Sequence, residues 1–115
     1  MDFETLRKYL LAKPGAVEEF PFDTETLVLK VGGKMFALIG TSDEPPRLNL
    51  KCEPQKAEGL RELHPAVIPG YHMNKRHWNT IFLDGSLAEA DIFSMIDDSY
   101  TLVLQGVPKT KRPKN

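Results

Sequence analysis

The chain has 115 residues, of which 41% are hydrophobic and 27% charged, ordinary values for a single globular domain. This composition excludes a disordered or fibrous chain. The longest apolar run, residues 35–39, is far shorter than the roughly 20 residues that a membrane-spanning helix needs. The N-terminus carries the acids Asp2 and Glu4 where a secretory signal has only basic residues, and it lacks the apolar stretch of such a signal. The single cysteine, Cys52, excludes an internal disulfide. We expect a cytoplasmic protein with no membrane partner.

Charge is distributed unevenly along the chain. Four of the fifteen basic residues lie in the last seven positions, whereas residues 1–108 carry eleven basic and sixteen acidic residues, a net charge of -5. An acidic body disfavours a protein that coats nucleic acid over its whole surface, but it permits a local basic patch. We interpret the chain as one domain over residues 1–108 followed by a basic C-terminal tail over residues 109–115.

In chain order, the first predicted element is a helix over residues 2–12. Asp2 is in position to cap it, and apolar residues recur on one stripe until the Pro14-Gly15 pair. A short helical turn that starts at Pro14 and includes residues 16–19 before Pro21 is predicted next, because proline suits the first helical position.

Three strands are predicted to follow. Residues 26–31 and 34–39 are rich in long and β-branched apolar side chains, and only Gly32-Gly33 separates them, which indicates a tight hairpin. Residues 47–52 alternate strictly. This alternation puts Leu48, Leu50 and Cys52 on one face and Arg47, Asn49 and Lys51 on the other.

The second half of the chain alternates between helices and one more strand. Pro54 opens a helix that Pro65 closes, and residues 65–76 form an apolar loop that we expect to be ordered although it lacks regular structure. Residues 77–83 have the pattern of a strand. A capping box, Ser86 with Glu89, then predicts a helix over residues 87–104.

This order of elements predicts an α+β fold, a two-layer antiparallel sheet with helices on one face. Helices are expected to cover the face that holds Leu48 and Leu50 and to leave the other face open. The residues expected to be buried are Leu48, Leu50, Leu60, Phe82, Phe93 and Ile96. Those expected to be exposed are Arg47, Asn49 and Lys51.

Patterns for catalysis or metal binding are weak. The spacing of His64, His72 and His77 places no two of them on one helical turn, and Cys52 alternates onto the apolar face, where a thiol is inert. No nucleophile or phosphate-loop motif occurs. We predict no enzymatic activity, no cofactor and no metal site.

The strongest polar cluster is the open face of the sheet. Lys30 lies opposite the apolar residues of its strand, and Arg47, Asn49 and Lys51 share the polar side of theirs, with His77 and Asn79 as further members. This favours a basic, amide-bearing binding surface. Lysine and arginine on an exposed sheet face are equally typical of a solubility device, and both interpretations stand. Trp78 is interpreted as a core residue, with stacking on a base as the alternative.

Several blocks of the sequence, taken together, also resemble those of a known protein family. They are KVGGKMFAL at 30–38, LKCEP at 50–54, HPAVIPGYHMNKRHWNTI at 64–81, LDG at 83–85, and DSYTLV at 98–103 followed by PKTKR at 108–112. In this order, over nearly the whole chain, they closely resemble the MmcQ/YjbR family. The resemblance implies a CyaY-like α+β fold, similar in architecture to frataxin, a sheet that acts as a double-wing DNA-binding surface, and no known catalytic activity.

Together, the residues and the resemblance predict weak DNA binding through the open face, the 72–79 segment and the basic tail. The candidate residues are Lys30, Lys34, Arg47, Asn49, Lys51, His72, Asn74, Lys75, Arg76, His77 and Asn79. The alternative is a non-catalytic module that binds a small ligand or a protein, which a pocket between the central loop and the sheet edge would support. Frataxin-like iron binding is a weaker alternative, because the first helix offers only Asp2 and Glu4 as acids.

Overall fold

The computed structural model of the chain describes residues 1–71 and 73–113. Its elements are α1 (Phe3–Leu11), β1 (Val17–Glu19), β2 (Thr26–Val31), β3 (Lys34–Gly40), β4 (Arg47–Lys51), α2 (Pro54–Leu63), β5 (Val67–Pro69), β6 (Trp78–Phe82) and α3 (Glu89–Gln105), then a 3-10 turn at Lys109–Lys111. Within the described residues, six strands form one antiparallel sheet in the order β1-β2-β3-β4-β6-β5. The predicted two-layer α+β fold is confirmed.

The three helices lie on one face of the sheet. Leu6 and Leu10 of α1 and Ile96 of α3 are buried in one cluster with Leu48 and Leu50 of β4. Tyr9 of α1 stacks on Phe93 of α3, with ring centroids 3.9 Å apart. Within residues 1–71 and 73–113, the opposite side of the sheet carries no helix, and we call it the helix-free face. Because side chains alternate along a strand, every second residue of a strand points to it.

Local sequence signals explain several boundaries. The Asp2 carboxylate caps α1 by accepting the Thr5 N–H at 2.7 Å. Gly32 and Gly33 have φ values of 57° and 80°, the left-handed conformation that a two-residue turn between β2 and β3 requires. Pro54 begins α2, where its missing N–H costs no hydrogen bond.

Two short edge strands replace predicted irregular segments. Residues 16–19 were expected to form a helical turn, but Val17–Glu19 pairs with β2 instead, because an edge partner satisfies the backbone groups of β2. Val67–Pro69, inside the predicted central loop, pairs with β6 in the same way. Three-residue strands carry too little alternation for the sequence pattern to reveal them.

The predicted capping box before α3 is wrong. The Ser86 hydroxyl donates to the Asp84 carboxylate at 2.6 Å, and α3 begins only at Glu89, after Ala88, whose side chain supplies no cap. The sequence pattern predicted Ser86 as part of the helix cap, but its hydroxyl is bonded within the Asp84-Gly85 turn instead.

Burial follows the predicted register of β4. Leu48, Leu50 and Ile96 are buried as expected, whereas Leu60, Phe82 and Phe93 are half-buried at the rim of the core. The polar residues of β4 point to the helix-free face, but Arg47, Asn49 and Lys51 are half-buried there rather than fully exposed.

Ser99 of α3 is inserted into the sheet where β3 bulges. Pairing between β3 and β4 extends to Ala37 and Leu50, and the register of β3 against β2 shifts at Phe36. One step beyond the last pair, the fully buried Ser99 hydroxyl donates to the Phe36 carbonyl at 2.6 Å and accepts the Lys51 N–H at 2.9 Å. The serine thus supplies both hydrogen bonds that the two strands do not make to each other.

The C-terminal segment through Pro113 packs on the domain. Arg112 donates through Nε to the Val107 carbonyl at 2.9 Å and through Nη2 to the Gln105 carbonyl at 3.3 Å. Pro113 lies against Gly15, where a Cβ would be 2.5 Å from its ring. Lys114, the last basic residue of the predicted tail, lies outside the described residues. Across residues 1–71 and 73–113, no helix combines the length and hydropathy needed to span a membrane.

Candidate ligand-binding site on the helix-free face

Cross-strand pairs of β4 and β6 build the centre of the helix-free face. Arg47 lies opposite Phe82, Asn49 opposite Thr80, and Lys51 opposite Trp78. Facing residues of an antiparallel pair share one side of the sheet, so each polar residue of β4 has a neighbour from β6 on this face. Trp78 and Phe82, expected in the core, are half-buried members of this face.

Asn79 is on the other side, and its predicted place on the open face is wrong. It faces Leu50 across the sheet and is 2% exposed. Its amide accepts from Arg61 Nε at 2.7 Å and donates to the Ala57 carbonyl at 3.4 Å, both in α2. The alternation of β6 was correctly predicted, but its two faces were exchanged, because the hydrogen bonds under α2 make a polar residue stable in the helix layer.

The segment that follows β5 crosses the helix-free face. Gly70 donates its N–H to the Trp78 carbonyl at 2.8 Å, and a Cβ at this glycine would lie 2.8 Å from the Trp78 Cβ. Tyr71 then donates its N–H to the Thr80 hydroxyl at 2.9 Å, which explains why Thr80 is fully buried on a face without helices. The face is therefore partly covered.

Arg61 of α2 holds the 74–77 turn that follows. Its Nη2 donates to the carbonyls of Lys75 and Trp78, the latter at 3.3 Å, while its Nε is bonded to Asn79. Within the turn, the Asn74 side chain accepts the Arg76 N–H at 3.0 Å. The guanidinium of Arg61, which is distant in the chain, and the amide of Asn74, which lies within the turn, together fix this irregular segment.

A cavity of about 380 Å³ lies between this crossing segment, the sheet and the 22–26 connection. We call it the face pocket. Its polar lining comes from Thr26, Asp43, Arg47 and Asn49, and its apolar lining includes Phe22, Leu38, Tyr71 and Met73. Pockets of this size with a few polar groups among apolar walls are typical small-molecule sites.

The guanidinium of Arg47 forms one wall of the face pocket. It lies 5.2 Å from the ring centroid of Tyr71 and 5.3 Å from that of Phe82, distances at which a cation is attracted to an aromatic ring. Its Nε is buried and has no hydrogen-bond partner among the described residues. The guanidinium is therefore held at the pocket wall, with an Nε–H that no described residue accepts.

The remaining basic candidates differ in their surroundings. Lys30 lies on the helix-free face near its β1 edge and forms an ion pair with Glu19. Lys34 pairs with Val31 and its Nζ lies 3.8 Å from the Cβ position of Gly106, so it is at the C-terminal end of α3 in the helix layer. Neither contributes an unpaired charge to the centre of the face.

The 74–77 turn brings the other candidates together. Asn74, Lys75 and Arg76 are exposed, and His77 is half-buried. Lys75 donates through Nζ to the Gly70 carbonyl at 2.9 Å. His72 was also predicted as a site residue and lies outside the described residues.

Cys52 is buried between α2 and α3, as the alternation of β4 predicted. Burial raises the pKa of its thiol above the ordinary value of 9.0. Residues 1–71 and 73–113 contain no group of three or more His, Cys, Asp or Glu side chains able to hold a metal ion.

The Cys52 thiol is expected to react with a disulfide reagent at neutral pH only as fast as the protein opens. The raised pKa keeps it protonated, and burial blocks access. Because the unfolded thiol loses its proton at a lower pH than the folded one, this group also lowers stability as the pH rises above about 9. Reaction followed with and without concentrated urea tests this, and a fast reaction with the native protein contradicts it.

A second cavity, of about 350 Å³, lies in the helix layer beside the start of α1. Phe3 and Phe20, which are 41% and 50% exposed, line it, and Leu6 and Leu83 form part of its apolar wall. Its only ionisable side chain, Asp2, already caps α1. The face pocket offers more polar recognition.

Several residues of the site, among them Phe22, Asp43 and Arg61, were absent from the predicted site residues. Phe22 and Asp43 lie in irregular connections, and Arg61 reaches the 74–77 turn from a helix. The only available signal was the pair of phenylalanines around Pro21, which places two aromatic side chains in a short connection where no core is expected.

These features define an α+β domain with one helix-covered face and one helix-free face, and comparison with known proteins places it in a family. A YjbR family model matches residues 11–102, and the chain belongs to the YjbR family. It is 38% identical over 112 residues to the uncharacterized protein YjbR of Escherichia coli K12, spanning 97% of this chain and 95% of that protein. It is 38% identical over 106 residues to the uncharacterized protein YbdF of Escherichia coli O157:H7, spanning 92% and 87% of the two chains.

Solved structures share the fold. The crystal structure of protein DR2400 of Deinococcus radiodurans, with a DUF419 domain, matches with a TM-score of 0.88 and 41% identity, over 94% of this chain and 83% of that one. A crystal structure from Pseudomonas syringae matches with a TM-score of 0.77 and 28% identity, over 89% and 98% of the two chains. The resemblance to the family inferred from the sequence is thus confirmed.

Proposed function

We propose that this chain is a non-catalytic domain that binds nucleic acid weakly through the helix-free face and the 74–77 turn. The observation that carries the proposal is the Lys51–Trp78 pair on the helix-free face, with the exposed Arg76 two residues before Trp78 in the chain. Cations of this kind neutralise phosphates, and an indole ring stacks on an unpaired base. The double-wing DNA-binding surface implied for the family is consistent with this use of the sheet.

The charge distribution limits the strength of the interaction. Residues 1–108 carry a net charge of -5, so the field that attracts phosphate at one patch repels it elsewhere. Lys30 is neutralised by Glu19, which leaves Lys51 and Arg76 as the basic side chains best placed for phosphate contacts. A modest, strongly salt-dependent affinity follows.

A second candidate function is a non-catalytic small-ligand module. The face pocket favours it, because phosphate binding on a flat sheet does not require a cavity of about 380 Å³ with Arg47 and Asn49 in its lining. Both candidates are binding functions, and neither involves a catalytic step.

Replacing both Lys51 and Arg76 with alanine is expected to weaken duplex binding and to flatten its salt dependence. Each cation that neutralises a phosphate contributes about 0.9 to the slope of log affinity against log salt, so the double variant should lose about 1.8. Duplexes of two unrelated sequences, titrated at several salt concentrations, give both quantities.

The matched control is Lys8→Ala with Lys34→Ala, which removes the same charge from the helix layer. Its slope should stay within about half a unit of the wild-type value. Equal losses in the two double variants would show that only net charge matters and would reject the helix-free face. Failure of the wild-type protein to bind any single or double strand at low salt would reject the proposed function.

A further inference from the structure

The face pocket contains polar groups that phosphate binding leaves unused. Arg47 Nε is buried at its wall, without a hydrogen-bond partner among the described residues. A buried donor without an acceptor is costly, and native structures rarely retain one unless it has a role. The arginine is also held between Tyr71 and Phe82, so its position is defined before any ligand arrives.

A hydrogen-bond chain fixes the amide of Asn49 beside it. The Thr80 hydroxyl accepts the Tyr71 N–H and donates its single proton to Asn49 Oδ1, 2.5 Å away. The carbonyl end of the Asn49 amide is therefore committed to Thr80. Its NH₂ end is left to act as a second donor in the pocket.

A carboxylate is the third polar group. A Cβ at Gly40 would lie 2.0 Å from Asp43 Oδ2, so the Asp43 carboxylate occupies the space of the absent side chain. Gly40 is the cross-strand partner of Arg47, which places the carboxylate on the same face as the guanidinium. Among the described residues that line the pocket, Asp43 and Arg47 are the two that carry a charge at neutral pH, and their charges cancel.

The shape and charge of the pocket indicate the kind of ligand. An anionic ligand would be attracted by Arg47 and repelled by Asp43, whereas a neutral ligand with both donors and acceptors suits the two residues together. Phe22 and Tyr71 both line the pocket and are 68% and 53% exposed. Aromatic walls around a cavity of this size favour a flat, polar ring.

We infer that the face pocket binds one guanine ring, taken from a free nucleoside or from an unpaired residue of a strand. Guanine carries two neighbouring donors, N1–H and the N2 amino group, that a carboxylate such as Asp43 can accept together. Its O6 and N7 are acceptors for Arg47 and Asn49. Where the guanine belongs to a strand, the inference rests on the proposed function. It adds to that function a preference for one base and the site that binds this base.

Wild-type protein provides the first test. It is titrated with guanosine, with inosine, which lacks the N2 amino group, and with 1-methylguanosine, which lacks N1–H. A bidentate pair to a base discriminates by about 5- to 150-fold, so both analogues should bind at least about 5-fold more weakly than guanosine. Equal affinities for the three nucleosides would overturn the guanine assignment.

Variants locate the site. Thymine octamers with one central guanine, adenine or thymine are titrated with wild-type protein, Asp43→Asn and the control Glu44→Gln, which removes the same charge from an exposed neighbour. We expect the preference for guanine to vanish in Asp43→Asn and to persist in Glu44→Gln. Loss of one negative charge should raise affinity for the all-thymine octamer slightly and equally in both.

The outcomes separate this inference from the proposed function. Octamers that bind without a guanine preference, or with one that Asp43→Asn retains, overturn the guanine pocket and leave nucleic-acid binding in place. Guanosine binding that depends on Asp43, without binding of any octamer or duplex, overturns the proposed function and supports the pocket as a nucleoside site. Absence of all binding overturns both.

Discussion

Replacing Ser99 with alanine is expected to lower the free energy of unfolding by about 2–4 kcal/mol. The hydroxyl bridges the Phe36 carbonyl and the Lys51 N–H at the end of the β3–β4 pairing, and Ser99 and Phe36 are fully buried. Removing it leaves a donor and an acceptor without partners, each at a cost of about 1–3 kcal/mol. The loss of one oxygen atom creates almost no cavity, so the change in the free energy of unfolding measures the loss of the two hydrogen bonds.

Urea unfolding followed by circular dichroism measures this loss. Ser94→Ala, at an exposed position of the same helix, is the control and should change stability by less than about 0.5 kcal/mol. Ser99→Cys should remain destabilised, because a thiol is a weak donor and acceptor of similar shape. A Ser99→Ala protein as stable as Ser94→Ala would mean that the bridge contributes nothing.

Replacing Arg61 with methionine is expected to release the 74–77 turn and to cost about 1.5–3 kcal/mol. Methionine keeps much of the apolar stem but removes the donors to Lys75, Trp78 and Asn79. The side-chain amide oxygen of Asn79 is then buried without its hydrogen-bond donor. Arg61→Lys should recover little, because one ammonium cannot reproduce the planar fork of a guanidinium.

Trp78 reports this release directly, since it is the only tryptophan of the chain. Its emission should shift to longer wavelength, and exchange of the His77 and Trp78 amides, both bonded to the Asn74 carbonyl, should accelerate. Glu62→Met, at the adjacent exposed position of α2, is the matched control. If Arg61→Met left emission and exchange unchanged, the turn would not depend on this arginine.

The Arg61 variant also connects the fold to the site. The segment that follows β5 forms one side of the face pocket. The 74–77 turn comes after this segment and is held by Arg61, which reaches it from the helix layer. Binding of guanosine should therefore weaken in Arg61→Met although Arg61 lines no part of the pocket. Arg61 is in this sense a positioning residue.

Local patterns predicted the larger elements correctly. Strict alternation over residues 47–52 placed Leu48 and Leu50 in the core, because a shift by one residue would reverse every side chain. The Gly32-Gly33 turn, the Asp2 cap and the proline at the start of α2 were equally readable. Each depends on the conformational preferences of a few adjacent residues.

The face assignment of β6 could not be obtained in this way. Its period of two was visible, but both faces contain polar and apolar residues, so composition does not show which one meets the helices. Asn79 is buried because Arg61 and Ala57 of α2 satisfy its amide, and Trp78 faces outward beside Lys51. The partners are 18 and 22 residues away in the chain, beyond any local pattern.

Sequence alone thus determined the α+β class, the register of β4, the family and a set of basic candidates on one side of the sheet. Tertiary structure decided which candidates act together: it paired Lys30 with Glu19, moved Lys34 and Asn79 to the helix layer, and enclosed Arg47 in a pocket with Asp43. The reason is physical, since periodicity and turn preferences are local, whereas ion pairs, buried hydrogen bonds and cavities arise between residues that only folding brings together.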